Sequence, residues 1–292
     1  MSDILSKFKQ QINDNINSHY LIHGNNILAK INNNSKIDVI ERIIPQYNIF
    51  KATNNDLVGY TDDIINRRVN SLNIYYNFLK ENSFDRAYTS QSKFRPTILE
   101  EFMYYIFRDF FTEKKDEIEA GRNDVLKLGS IKAYTNLYFK AKNVSEFINT
   151  PQIGINEKDQ DFSIYRSLRM KVEGKIFDTN IPIISLENKT YLDKTMLEGS
   201  VATAEKIKSG NPYSFFGIVT ETYDVSFEVD PAYSRIDQIY VLRKSKRRDA
   251  ERNEEPIHSE VFIRLFNDSK YHFEKSWSDI EVKMINEGII IW

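Results

Sequence analysis

The chain has 292 residues, of which 28% are charged and 13% aromatic, and its formal net charge is −2. This length can bury one sizeable core or two small ones, and the near-neutral charge excludes a broadly basic protein. The absence of cysteine excludes disulfides, thiolate-bound zinc and thiol chemistry. Because no apolar run is as long as a membrane span and the first residues lack a signal-peptide core, we expect a soluble cytoplasmic protein.

The N-terminal part of the chain carries helical patterns and little recognisable chemistry. Residues 61–82 place apolar side chains along one side of a predicted helix, and the asparagine run 32–34 predicts a loop. His19 and His23 are four positions apart, as on one helix face. They lack a third ligand and the glutamate of an HExxH motif, so the pair does not predict a metal site.

Residues 96–111 form the clearest predicted helix, with an apolar stripe that faces a core. Thr97 is predicted to cap its N-terminus, with Glu100 three positions later in the capping-box place. In the alternative interpretation, Glu100 or its neighbour Glu101 lines a functional site from this helix. The residues leave both interpretations open. The charged residues 112–127 are expected to be exposed.

The rest of the chain alternates between strand and helix patterns. A strand and a short helix are predicted within residues 130–150. Further strands are predicted from Asp161 onward and over residues 169–178, 181–189, 213–225 and 236–243, and helices over 190–208 and 257–275. This order predicts an α/β (α+β) fold with a mixed central sheet, flanking helices and a helical N-terminal region.

Residues 181–208 carry the main functional signal. An apolar run ends in Glu187 and Lys189, which should face one side of a strand together, with Asn188 turned away. Asp161 begins another predicted strand upstream. Two carboxylates that converge from adjacent strands can hold Mg²⁺ and a phosphate oxygen. A nearby lysine can orient the attacking water or stabilise charge on the phosphorus. The pattern therefore predicts metal-dependent phosphodiester hydrolysis.

The Glu-x-Lys pattern alone is weakly specific and competes with ordinary surface ion pairs. It also occurs at Glu113/Lys115, Glu173/Lys175 and Glu281/Lys283. The Glu173/Lys175 pair is the main rival, because it also follows Asp161 in an extended segment. We prefer Glu187/Lys189, whose preceding strand is apolar and whose following helix is amphipathic. Asp159 is an alternative to Asp161, ranked lower because the apolar alternation begins from Asp161.

A basic segment, RKSKRRDAERN, occupies residues 243–253 after a predicted strand. It is interpreted either as a solvated polar loop or as a DNA contact. In the second case its cations would neutralise phosphates, and some arginines would read guanine edges in the major groove. The predicted DNA contacts are Arg243, Lys244, Lys246, Arg247, Arg248, Arg252 and Asn253.

Four separated stretches resemble one known family. They are RPTILEEFMYYIF, EKDQDFSI, IPIISLENKTYLDKTMLEGSVATAEKIKSGNPYSFFGIVTETY and RIDQIYVLRKSKRRDAERN, within roughly residues 94–260. In order and spacing they resemble type II restriction endonucleases of the BbvCI group, with DdeI a more distant associate. That group belongs to the PD-(D/E)xK nuclease superfamily.

The resemblance implies roles for individual residues. Asp161 matches the first metal-binding aspartate, Glu187 the second acidic ligand and Lys189 the catalytic lysine. Glu100 falls on the helix that often contributes a further acidic residue. The sequence departs from the pattern where Gln160 replaces a proline. It also departs where Asn188 occupies a position that can carry cysteine.

The resemblance also implies a function: Mg²⁺-dependent cleavage of double-stranded DNA at a short sequence, often with a CTNAG-like core. One such site cuts one strand, so a homodimer or a heterodimer with a related subunit is implied. Residues 1–90 would form a helical subregion, and residues 91–292 the nuclease core with C-terminal recognition elements, within one compact domain. The alternatives are a repair or structure-specific nuclease and a DNA-binding subunit without catalysis. No nucleotide cofactor is expected, because P-loop and GxGxxG motifs are absent.

Overall fold

The computed structural model describes residues 3–88, 93–119, 126–275 and 280–288. The helices are α1 (Asp3–Asn13), α2 (Ile22–Asn32), α3 (Ile37–Asp56), α4 (Asp62–Glu81), α5 (Pro96–Glu119), α6 (Val144–Asn149), α7 (Lys194–Gly210), α8 (Arg247–Asn253), α9 (Ser259–Glu274) and α10 (Ile280–Glu287). The strands are β1 (Leu126–Lys140), β2 (Gln152–Val172), β3 (Lys175–Lys189), β4 (Phe215–Thr220) and β5 (Gln238–Val241).

The strands form one mixed sheet in the order β1-β2-β3-β4-β5. Strands β1, β2 and β3 pair antiparallel, whereas β3, β4 and β5 run parallel. The parallel strands need a long connection, and helix α7 supplies the one between β3 and β4. All six residues of β4 are buried, as expected for a strand covered on both faces. The predicted mixed sheet with flanking helices is confirmed.

Helices cover both faces of the sheet. On one face, α5 and α9 share a core with β2, β3 and the N-terminal helices, and the rings of Phe107 and Phe162 lie 5.2 Å apart within it. On the other face, Leu197, Ala204 and Ile207 of α7 pack against β1 and β4. Among the described residues, no helix combines the length and apolar character needed to cross a membrane.

One local prediction about helix α5 is wrong, and the helix extends further than the sequence indicated. Helix α5 begins at Pro96, so Thr97 lies inside it and is not the N-cap. Its hydroxyl donates to the carbonyl of Phe94 at 2.9 Å and contacts Nδ1 of His23 at 3.0 Å, so the predicted capping box is wrong. Helix α5 also continues to Glu119, although the charges of 112–127 suggested only an exposed segment; residues 120–125 of that range lie outside the described residues.

The predicted strands also differ from the observed ones at two places. The strand predicted over 169–178 is divided by a tight turn at Glu173 and Gly174, both of which have positive φ, 47° and 76°. Strands β2 and β3 therefore form one long hairpin. The strand predicted over 213–225 shrinks to the six residues of β4, because the chain turns away after Thr220.

Candidate active site

The register of the β2–β3 hairpin brings Asp161 next to Glu187. Phe162 pairs with Leu186, and beyond this pair Oδ2 of Asp161 accepts the backbone N–H of Asn188 at 2.8 Å. At the end of the β2–β3 ladder, the carboxylate of Asp161 thus replaces a backbone carbonyl as the acceptor for this N–H group. Asn188, which lies between Glu187 and Lys189 in sequence, is only 5% exposed.

Glu187 and Lys189 lie at the carboxyl end of β3, between β2 and β4. Nζ of Lys189 is 2.7 Å from Oε1 of Glu187, and both side chains are partly exposed. The predicted strand geometry, with these two residues on one side, agrees with this contact. The structure therefore brings Asp161, Glu187 and Lys189 together at one end of the sheet.

Helix α5 adds a third carboxylate, Glu100. Burial and, to a lesser extent, the nearby charge of Asp161 raise the pKa of Glu100 to about 7, against the opposite effect of Lys93 and Lys189. These interactions place Glu100 beside the site. Glu101 points elsewhere and is fully buried among the N-terminal helices. The structure thus decides between the two glutamates that the sequence left open.

The charges of the site shift the pKa values of its members. Burial raises the pKa of Asp161, although the N–H of Asn188 and the charge of Lys189 act against this. Burial by itself would lower the pKa of Lys189, but the charges of Glu187 and Asp161 outweigh it and raise that pKa. Lys189 is therefore a charged ammonium at neutral pH.

A β-bulge and a buried amide fix the position of Asp161. The β1–β2 register shifts between Gly129 and Ile131, so Asp161 and Phe162 together oppose a single β1 residue. Such bulges often re-aim a side chain beside an active site. The adjacent Gln160 accepts a hydrogen bond from the hydroxyl of Ser185 at 2.5 Å, which ties β2 to β3. Gln160 thus has a structural role where the family pattern has proline.

The structure separates the rival residues from the site. Lys175 pairs with Val172 beside the exposed hairpin turn. At about 3.3 Å per residue, this turn lies roughly 35 Å along the ribbon from Asp161. Asp159 is exposed and pairs with Lys132 of β1. Neither Glu173/Lys175 nor Asp159 joins the cluster.

The donor set suits a hard cation that keeps most of its water. Oε2 of Glu187 is buried and has no hydrogen-bond partner among the described residues, so an oxygen faces inward without a protein donor. Mg²⁺ is commonly held by one or two carboxylates and completes its shell with water and phosphate. Asp161 and Glu187 fit that role. Within residues 3–88, 93–119, 126–275 and 280–288, no group of three or more Asp, Glu or His side chains is arranged to enclose a metal by itself.

The histidine pair noted in the sequence is not a metal site. Nε2 of His23 lies 2.8 Å from the hydroxyl of Tyr75, and its ring is fully buried. Burial lowers the pKa of His23 to about 3. His19 lies in a separate short 3₁₀ turn and packs against Tyr20. His23 is therefore a neutral core residue.

The basic segment is not the loop that its composition suggested. Residues 247–253 form helix α8, and Lys246 precedes it. Several cations are paired: Lys244 with Glu260, Arg247 with Glu251 and Arg252 with Asp249, while Arg248 is exposed. These pairs are on the surface, where salt bridges contribute little to stability.

Arg243 differs from the other predicted DNA contacts, because its side chain is only 15% exposed. It pairs with the buried Glu221 and donates to the carbonyl of Glu255. This is a structural position, so we withdraw Arg243 from the set of DNA contacts. The exposed or partly exposed Lys244, Lys246, Arg247, Arg248, Arg252 and Asn253 remain a prediction.

Sequence analysis missed one cation near the carboxylates. Lys93, three residues before helix α5, lowers the pKa of both Glu100 and Asp161 through its charge. It stands outside every Glu-x-Lys pattern. Only the position of helix α5 against the sheet brings it near the site.

Comparison with solved structures defines the class of the fold. The chain is similar to a structure described as the native BbvCI A2B2 tetramer, with a TM-score of 0.67 and 22% sequence identity. The similarity covers 86% of this chain and 94% of that one. The chain therefore has the α/β core of a restriction endonuclease, as the sequence predicted.

The family follows from the sequence itself. The model of the Bpu10I restriction endonuclease family matches residues 91–260, more than half of the chain, and this range contains the whole cluster and the basic segment. The chain belongs to the Bpu10I restriction endonuclease family. The predicted resemblance to type II restriction endonucleases of the BbvCI kind is thereby confirmed. No curated protein matches the chain.

Proposed function

We propose that the chain hydrolyses phosphodiester bonds of double-stranded DNA at a short specific sequence, in a Mg²⁺-dependent reaction. One observation carries this proposal: the β2–β3 register places Asp161 and Glu187 side by side, with Lys189 in contact with Glu187. Asp161 and Glu187 would hold the metal, and Lys189 would be catalytic. Glu100 is the accessory carboxylate.

The charge states of the residues suggest their roles. Mg²⁺, when bound, neutralises phosphate charge and makes a coordinated water more acidic. Lys189 is protonated at neutral pH, so it donates hydrogen bonds and does not act as a base. It can orient the attacking water or stabilise the additional negative charge that develops on the phosphate oxygens. Glu100, with a pKa of about 7, can accept or release a proton near neutrality.

The target and the assembly follow from the family resemblance. The DNA sequence is proposed to be short and to contain a CTNAG-like core. One site cuts one strand, so cutting a duplex needs a second subunit. The neighbour's A2B2 composition favours a heteromeric assembly with a related chain, although a palindromic target would suit a homodimer.

The first experiment digests a long mapped duplex with the purified chain, with Mg²⁺ or EDTA, and sequences the ends. We expect Mg²⁺-dependent breaks that share one sequence, or nicks on one strand if a partner subunit is missing. Lys189→Ala should lower the rate at least about 100-fold, a typical loss for one electrostatic catalytic group, while specific binding is retained. Lys175→Ala, the matched change at the hairpin turn, should cut like the wild type.

Three outcomes would contradict the proposal. Random degradation would instead favour a repair nuclease, and loss of cutting in Lys175→Ala would mean that the wrong Glu-x-Lys pair was chosen. Specific binding without any cutting, even with a related subunit present, would favour a DNA-binding subunit without catalysis.

A further inference from the structure

A buried glutamate beside the candidate active site is held by two arginines. Glu221 directly follows β4, is fully buried, and donates its N–H to the carbonyl of Lys189 at 3.1 Å. Its carboxylate accepts hydrogen bonds from Arg95 at 2.8 and 3.2 Å. Arg243 donates to the same carboxylate at 3.0 Å. Two guanidinium groups therefore share one carboxylate, and the charge of Asp85 also acts on Arg95.

The two arginines are alike in their packing but differ in their exposure. Both guanidinium groups lie over the ring of Tyr76, each 5.7 Å from its centre. The side chain of Arg243 is 15% exposed, and its Nη1 donates to the carbonyl of Glu255. The side chain of Arg95 is 39% exposed, and its Nη1 has no acceptor in the part of the chain that the structure describes. The outer edge of Arg95 is thus available to a ligand.

We propose that Arg95 binds a DNA backbone phosphate next to the one that is cut. This inference rests on the proposed nuclease function and assigns a new contact to the same site. Arg95 immediately precedes α5, so Glu100 follows it by about 7.5 Å along the helix axis. On its other side, Glu221 is hydrogen-bonded to the main chain of Lys189. Arg95 therefore lies at the rim of the cluster.

The chemistry of the pair favours a phosphate as the ligand. A guanidinium is planar and always charged, and in Arg95 the Nε and Nη2 groups already donate to Glu221, so the edge that carries Nη1 is the one left for phosphate oxygens. The contacts with Glu221 and Tyr76 hold the group in one orientation before DNA arrives, which reduces the entropy lost on binding. Arg243 makes the same contacts with Glu221 and Tyr76, but it has no free N–H edge. It should therefore stabilise the fold without binding DNA.

The test compares Arg95→Gln with Arg243→Gln, a matched pair in which each variant leaves the other arginine on Glu221. Affinity for a short duplex that carries the mapped cleavage site is measured in EDTA between about 50 and about 200 mM salt. The slope of log affinity against log salt counts the neutralised phosphates. Unfolding curves of both variants show whether each is folded under these conditions.

We expect Arg95→Gln to bind roughly tenfold more weakly, the usual effect of losing a hydrogen bond to a charged group. We also expect it to reduce the salt slope by about 0.9, the value for one phosphate. Arg95→Lys should keep the slope, because it keeps the charge, and Arg243→Gln should leave the slope unchanged. Equal slopes in Arg95→Gln and the wild type, or an equal reduction in both glutamine variants, would overturn the inference. If the wild type does not bind the duplex in a salt-dependent way, both the proposed function and this inference are wrong.

Discussion

Two neighbouring glutamates at the start of α5 have different environments. Glu100 lies beside Asp161, whereas Glu101 accepts hydrogen bonds from the backbone N–H groups of His23 at 2.9 Å and Gly24 at 3.1 Å. Glu101 also receives the hydroxyl of Tyr47 at 3.0 Å. Consecutive residues of a helix point in different directions, so α5 can serve the candidate site with one residue and anchor the N-terminal helices with the next.

The raised pKa of Glu100 predicts a pH-dependent stability. In the unfolded chain this carboxyl has its ordinary pKa of 4.5, but in the metal-free folded protein the pKa is about 7. Between these values the folded state binds more protons, so stability falls as pH rises from about 4.5 to about 7. At pH values above about 7, Glu100→Gln should be more stable than the wild type by roughly 3 kcal/mol, and near pH 4.5 the difference should vanish.

Urea unfolding in EDTA at several pH values measures this difference. The exposed Glu205→Gln on helix α7 removes the same charge outside the site and serves as the control. A pH-independent effect of Glu100→Gln would show that the carboxyl of Glu100 is not buried in the folded protein.

At the scale of secondary-structure elements, the contact between α7 and β1 depends on one glycine. A Cβ atom on Gly210 would lie 2.4 Å from the carbonyl oxygen of Thr135, which is backbone and cannot rotate away. In the same helix, a Cβ on Gly199 would meet nothing within 4 Å. The two glycines of α7 therefore have different physical roles.

We predict opposite effects on stability for alanine at these two positions. Gly210→Ala should destabilise the protein by about 1–3 kcal/mol, since helix and strand must move apart. Gly199→Ala should stabilise it by up to about 1 kcal/mol, because alanine is the better helix former at an open position. Urea unfolding measures both. Equal effects would mean that α7 does not pack this closely on β1.

The hairpin turn shows why element boundaries were partly mispredicted. Residues 169–178 keep a strand-like pattern, but Glu173 and Gly174 have positive φ and reverse the chain. Two-residue hairpin turns need such conformations and favour Asn-Gly or Asp-Gly, which this chain lacks here. A glutamate in this position gives no such signal. The position of the turn became apparent only from the pairing of strands β2 and β3 in the structure.

At the scale of the whole molecule, each chain contributes one cluster of Asp161, Glu187 and Lys189. The N-terminal helices, α5, α9 and one sheet face share a single core, which supports the strand end on which the cluster lies. Under the proposed function, one cluster hydrolyses one phosphodiester bond. Cutting both strands then depends on two active clusters in one assembly.

Mixing active and inactive chains tests this dependence. Wild-type chain in an excess of Lys189→Ala is incubated with a supercoiled plasmid that carries one mapped site. We expect open circles to accumulate, because most assemblies then contain only one active cluster. The same total amount of wild-type chain is the control and should give linear DNA, or open circles if a related subunit is required. Direct conversion to linear DNA in the mixture would show that one chain cuts both strands.

The sequence by itself determined the features that depend on neighbouring residues. The apolar run before Glu187 and Lys189 and the amphipathic helix after them are local patterns, and their spacing across residues 94–260 identified the kind of enzyme. The tertiary structure alone decided which distant groups meet. It selected Glu100 over Glu101, and it showed that Arg243 is only 15% exposed while Arg95, 126 positions from its partner Glu221, is 39% exposed. Such choices follow from the packing of whole elements, because burial and long-range ion pairs depend on the surroundings that a residue acquires only when the chain folds.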